Sequence, residues 1–198
     1  PLFSYIALLG KCRKCKTKLS PQYPIIEAAN GLLYCLVIYV RGVTLVSLFC
    51  CLLGSALLAL SVIDFRTYEI PIGFNVFILT LGLIHLALDY QNWLLYVIGL
   101  VAVSGFLLLI YVITKGRGIG GGDIKLMAAC GLLIGWKLII VAFIIGCVVG
   151  AVVHLLRMRI TKESHVLAMG PYLSLGVFIA AMWGSRLLEW YLTYWQMV

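Results

Sequence analysis

Asp64 and Asp123 are the residues of this chain whose type and setting most plainly invite chemistry. Asp64 ends a long apolar run, in SVIDFRTYEIP, and Asp123 opens another, in GRGIGGGDIKLMAACG. An ionisable residue at a membrane boundary is costly unless paired, protonated or wetted, so it is a functional candidate by default. Two carboxylates drawn together share a proton and titrate as a pair. The ionised member can take a proton from water while the protonated member donates to a carbonyl oxygen. That is peptide hydrolysis without a metal or a covalent intermediate. Taken singly, each aspartate would serve equally well as a helix cap. The pairing with glycine is what favours a site: Gly118, Gly120, Gly121 and Gly122 run up to Asp123. Glycine permits an unwound backbone and close approach of a substrate, and irregular backbone at membrane depth must be buried in protein or line a wet cavity. Lys125, two residues beyond Asp123, would fall on the opposite face of a helix and is not expected as a third partner.

A second cluster is Cys12 and Cys15, a CxxC within a lysine-rich loop. Tetrahedral zinc is typically closed by two such knuckles. One knuckle is half a site, so zinc is a cofactor here only with further ligands upstream. The alternative is a pair of reduced cytoplasmic thiols. Cys35, Cys50, Cys51, Cys130 and Cys147 lie in apolar runs, where cysteine behaves as a small hydrophobe. His85, His154 and His165 show no ligand spacing and read as boundary or loop residues. Gly146 and Gly150 form a GxxxG, a helix-packing signature.

The elements that must position these residues are membrane helices. The chain has 198 residues, 64% of them hydrophobic and only 11% charged, with a mean hydropathy of +1.11. A soluble domain would carry roughly 25% charge. Apolar stretches recur at 25–40, 43–63, 70–88, 93–113, 124–136, 137–156 and 169–184. Spanning takes roughly 20 residues, so 124–136 is short for it. The expectation is an all-α polytopic bundle of six to seven membrane helices, one of them short. Continuously apolar segments argue against a membrane β-barrel. Residues 1–24 form a basic loop with the CxxC, and 25–198 form the bundle. Trp93, Trp136, Trp183, Trp190 and Trp195 would sit in an interfacial belt. The chain opens on Pro1 with no cleavable signal peptide, which reads as a chain whose natural start lies upstream.

The net charge of +8 is read as a topology signal rather than a nucleic-acid footprint. With seven crossings, Lys11, Arg13, Lys14, Lys16, Lys18, Arg66, Lys115, Arg117, Arg157, Arg159 and Lys162 share one side, against Arg41, Lys137 and Arg186. Positive-inside bias makes that side cytoplasmic and puts Asp64 and Asp123 on it. The bias is much weaker if 124–136 fails to cross. The flanking lysines would also meet anionic lipid.

In these residues the chain resembles the type 4 prepilin leader peptidases, membrane aspartic proteases with a GxGD motif. VIDFRTYEIP matches their first aspartate and its proline turn through Ile63, Asp64, Ile70 and Pro71. Gly120, Gly122, Asp123, Lys125 and Leu126 match GxGD and the Lys-Leu pair after it. PLFSY, GKCRKCKTKLSPQYPIIEAANG and MGPYLSLG match further, so the likeness runs through nearly the whole chain. Presenilin-like proteases share GxGD alone; the cysteine loop and YPIIE point to prepilin peptidases.

The resemblance implies an aspartic endopeptidase of the bacterial inner membrane with Asp64 and Asp123 as catalytic acids and no cofactor for proteolysis. Its substrates would be prepilins or pseudopilins, cut after a leader-ending glycine at the cytoplasmic face. Many relatives also N-methylate the new N-terminus from S-adenosylmethionine, an activity tied to the cysteine-bearing region. S-adenosylmethionine would be a cofactor here where that activity is retained. Two departures stand out. An upstream hydrophobic segment and first CxxC of the family are missing, and Ile72 stands where many relatives have an aspartate after the proline. The competing readings are a presenilin-like intramembrane protease and a proton- or cation-coupled transporter using the same carboxylates. No pair of matching halves of the kind that builds many transporters is evident.

Overall fold

A computed structural model of the chain describes residues 2–161 and 168–196. Its helices are α1 Leu2–Ala7, α2 Gln22–Arg41, α3 Leu45–Thr67, α4 Ile72–Leu88, α5 Trp93–Ile113, α6 Gly121–Ile134, α7 Trp136–Thr161 and α8 Gly170–Gln196. A 3₁₀ turn, Tyr90–Asn92, precedes α5. Among the described residues the only β pairing is an isolated bridge between Lys11 and Lys18. The all-α polytopic bundle stands, and α2 to α8 occupy the seven apolar stretches in order. Lys162 and His165 lie outside the described residues, as does the side chain of Trp195.

By length and composition α2, α3, α5 with its 3₁₀ turn, and α7 can cross a membrane, and α4 is a shorter apolar helix. The helices α6 and α8 fall outside that length and composition range for physical reasons. The 14 residues of α6 reach roughly 21 Å at 1.5 Å per residue, against a hydrocarbon thickness of roughly 30 Å. Helix α8 is long, but Arg186 and Glu189 interrupt its apolar pattern.

The core lies where α3, α4, α6 and α8 meet. Leu53, Leu57 and Leu60 of α3, Ile78 of α4, Leu126, Met127 and Cys130 of α6, and Leu173 and Val177 of α8 are fully enclosed. Thus the short α6 is an interior helix, while α5 and α7 turn residues such as Leu109, Val112, Ile144 and Val148 outward, as lipid-facing helices do. Close approach on glycine makes this possible. A Cβ on Gly131 of α6 would collide with the backbone of Gly99 on α5, and one on Gly176 of α8 would stand 2.8 Å from the backbone nitrogen of Gly146 on α7. Gly146 of the GxxxG is therefore a packing residue, touching α8 at Leu173 and Tyr172. A smaller cluster around Val37, Cys50, Cys51 and Met182 ties α2 to α3 and α8, with Trp183 half-buried in it rather than in an outer belt.

Local signals set the helix ends that matter. The Thr44 side chain accepts from the Ser47 N–H at 3.1 Å and starts α3. Tyr68 stops it in the left-handed region at φ 55°, its N–H closing on the Asp64 carbonyl at 2.8 Å. Pro71 precedes α4 in extended conformation. Gly120, also extended, precedes α6, and Gly135 at φ 82° ends it.

Candidate active site

Three helix ends converge at one end of the bundle: the last turn of α3, the first turn of α6 and the first turn of α8. Asp64 is buried there, 5% exposed, and Asp123 is half-buried. Both line one cavity of about 340 Å³, together with Tyr68, Glu69, Ile70, Ile72, Asn75, Gly120, Gly121, Gly122 and Lys125. The two aspartates that the sequence singled out, 59 positions apart in the numbering, are thus brought to a common space.

Gly170 holds Asp64. Its backbone N–H donates to Asp64 Oδ2 at 3.0 Å. A Cβ at position 170 would lie 2.6 Å from the same oxygen, so any other residue would push the carboxylate aside. The glycines before Asp123 divide by the same measure. At Gly120 a Cβ would stand 3.0 Å from Asp123 Oδ2, and at Gly122 it would stand 3.0 Å from the Cβ of Ile70. At Gly121 it would meet nothing within 4 Å. A side chain at either glycine of GxGD would thus press on Asp123 or Ile70, whereas at the one between them it would meet open space. Ile70, in the turn after Asp64, is pressed against this strip.

Lys125 also borders the cavity, contrary to the expectation that it faces away. In the first turn of a helix the helix end is itself the wall, and a long side chain can reach its rim from either face. It is exposed.

Asn75, Tyr68 and Glu69 were not found from sequence. Asn75 is buried at 6% exposure, and neither its Nδ2 nor its Oδ1 has a hydrogen-bond partner. A group so placed costs on the order of 1–3 kcal/mol. Gly170, which the sequence places with Pro171 at the start of the last helix, meets Asp64 across 106 positions, a nearness that is purely tertiary.

The N-terminal cysteines fold into a tight turn. The Cys12 N–H donates to the Thr17 carbonyl at 2.9 Å, the Lys16 N–H to the Cys12 carbonyl at 3.0 Å, and the Thr17 hydroxyl to Cys15 Sγ at 3.2 Å. These hydrogen bonds, the Thr17 hydroxyl foremost, draw the Cys15 thiol down to about 7. Among the described residues no group of three or more His, Cys, Asp or Glu could hold a metal. Two thiols do not fill a tetrahedral zinc site, and no step is derived through zinc.

Two families match this chain. The type IV leader peptidase family covers residues 51–155, which hold both aspartates, and the bacterial peptidase A24 N-terminal domain covers residues 1–41. Similar proteins include the prepilin leader peptidase/N-methyltransferase of Stutzerimonas stutzeri, 34% identical over 98% of this chain and 70% of its own length. Proteins of the same description from Pseudomonas aeruginosa, 34% identical over 98% and 69%, and from Aeromonas hydrophila, 33% identical over 98% and 69%, are similar to it as well. No solved structure matches. With the family match spanning more than half of its residues, and both aspartates and the GxGD strip walling one cavity, the chain belongs to the type IV leader peptidase family.

Proposed function

We propose that the chain cleaves the leaders of type IV prepilins or pseudopilins after a glycine, with water activated between Asp64 and Asp123. The observation that carries this reading is the shared cavity with the two carboxylates at its wall. The ionised aspartate takes a proton from water, the hydroxyl oxygen attacks the peptide carbonyl, and the protonated aspartate donates to the carbonyl oxygen. Collapse of the tetrahedral intermediate then expels the amine, which takes up a proton. The Gly170 N–H fixes the orientation of one carboxylate, and Gly121, at which a Cβ would meet nothing, leaves room at the cavity wall for a substrate backbone.

The cavity suits a basic leader: Asp64, Glu69 and Asp123 outnumber Lys125 at its wall. The Arg66 guanidinium donates to the Gln22 side chain, which ties the start of α2, just after the basic loop, to the aspartate end of α3. With the positive-inside bias, this supports a cytoplasmic active site in a bacterial inner membrane. Residues 1–24 would then be a cytoplasmic loop and 25–198 the peptidase bundle.

The test is cleavage of a prepilin with a glycine-ended leader by purified protein, wild type beside Asp64→Asn and Asp123→Asn. A product starting just after the glycine, lost in each folded variant, is the expected outcome. Substantial cleavage by either single variant would sink the dyad. Cuts within the apolar helix would favour a presenilin-like activity, and aspartate-dependent ion flux a transporter.

A second reading, N-methylation of the new N-terminus, is favoured by the match over residues 1–41 and by the relatives' names. S-adenosylmethionine would be its cofactor. Its test is transfer of labelled methyl to the cleaved product; no transfer under conditions of full cleavage would remove it.

A further inference from the structure

Asn75 has no local reason to be asparagine. It sits in the first turn of α4 between Phe74 and Val76, in a helix whose other residues are almost all apolar. It is buried at 6% exposure, borders the aspartate cavity, and leaves both its donor and its acceptor unpartnered. An apolar side chain of similar size would fold as readily, because replacing an unsatisfied buried polar group removes a penalty. Nearly all buried polar groups in folded proteins are satisfied, so an orphan of this kind calls for an explanation.

The explanation lies in what enters the cavity. A segment being cut must lie extended, with its peptide N–H and C=O groups bare. At a membrane boundary those groups have little water to bond and must be met by protein. A carboxamide offers one acceptor and two donors, the complement of a peptide group. The Gly120–Gly122 strip, which lines the same cavity, carries no side chains to block the approach. We propose that Asn75 binds the main chain of the substrate beside the bond being cut, Nδ2 donating to a peptide carbonyl and Oδ1 accepting from a peptide N–H. Such a contact is indifferent to substrate side chains, so one cavity serves leaders of different sequence. The inference rests on the two-aspartate reading above.

The experiment uses the full chain in detergent and a prepilin peptide with a glycine-ended basic leader. In a series of variants of that peptide, each amide flanking the scissile bond is replaced in turn by an ester, which deletes one N–H. Asn75→Leu is expected to lower kcat/KM by about 5- to 100-fold, as loss of such a bond does, with the melting temperature unchanged or raised. One ester position should cost the wild type a similar factor and cost Asn75→Leu nothing further. Equal ester losses in wild type and variant at every position would overturn the proposal. So would a melting temperature that falls along with activity, the signature of a structural role. Asn75→Thr carries the same ester series should the leucine variant fail to fold. Activity surviving in Asp64→Asn or Asp123→Asn would sink the two-aspartate reading instead. The ester comparison uses only wild type and Asn75 variants, so the two failures are told apart.

Discussion

Among the described residues a cavity lies at each end of α3, and the two hold their acidic residues differently. The aspartate cavity occupies about 340 Å³. The other, also about 340 Å³, is lined by Arg41, His85, Asp89 and Tyr96 among apolar residues that include Val46 and Phe49 at the start of α3. Asp64 and Val46 are separated by roughly 27 Å of helix at 1.5 Å per residue. At the far end the carboxylate is bonded by neighbouring side chains. The Tyr96 hydroxyl donates to Asp89 Oδ2 at 2.6 Å and Asn92 Nδ2 donates to Oδ1 at 3.0 Å. Arg41 Nη2 donates to the carbonyls of Ala181 and Met182, and the His85 ring meets Phe49 and Tyr96 edge-on at 5.2 and 5.1 Å. The far end holds its carboxylate with two side-chain donors, although Arg41 Nε and His85 Nδ1 are buried there without partners. The aspartate end leaves its buried carboxylate with one backbone donor and the whole buried carboxamide of Asn75 open, on the cavity where a substrate is expected.

The sharpest way to break this comparison is at the aspartates, where Asp64→Asn or Asp123→Asn should abolish cleavage in a protein that still folds. Next in size is Gly170→Ala. Its Cβ would land 2.6 Å from Asp64 Oδ2, so cleavage should fall at least about tenfold, as a misplaced catalytic group does. Gly31→Ala on α2, which meets nothing and lies outside the cavity, should stay within about twofold and serves as the control in the same assay. Comparable losses in both would show that the Gly170 effect is not one of displacing Asp64.

At the far end the effect should appear in stability instead. The Tyr96 hydroxyl, then Asn92, holds the Asp89 carboxyl below the usual carboxylate range. A carboxylate depressed by folding adds stability above its unfolded value of about 4 and loses it as pH falls through the folded value. Tyr96→Phe should therefore melt below wild type at neutral pH, and the gap should narrow below about pH 4, with cleavage little changed. A gap constant across pH would mean that Asp89 is not the partner that matters. The smallest effect is expected at the loop. Cys15 should alkylate with a midpoint near pH 7, moving up toward the ordinary thiol value of about 8.5 in Thr17→Val. An unmoved midpoint would remove the Thr17 hydroxyl as the cause.

What could be read beforehand follows from how each feature is encoded. Seven apolar stretches and two acids at their ends are local patterns, and the helices and the cavity wall follow them. Gly120 and Gly122 were legible as a motif, although their reason, contact with Asp123 and Ile70, needed the fold. Gly170 reaches Asp64 from α8, and no periodicity predicts that contact. Asn75 is one polar letter in an apolar helix, a pattern shared by many harmless residues until burial and lack of partners set it apart. Lys125 was misplaced because helical periodicity assumes a full cylinder, and the first turn of α6 is only its rim.

Helix α6 is locked along its whole length: Leu126, Met127 and Cys130 are fully enclosed, Gly131 lies against the backbone of Gly99, and Gly135 closes the last turn. Asp123 projects from the first turn of that fixed rod. A side chain placed at Gly99 or Gly131 would therefore displace the carboxylate from a distance, by shifting the whole helix and without entering the cavity.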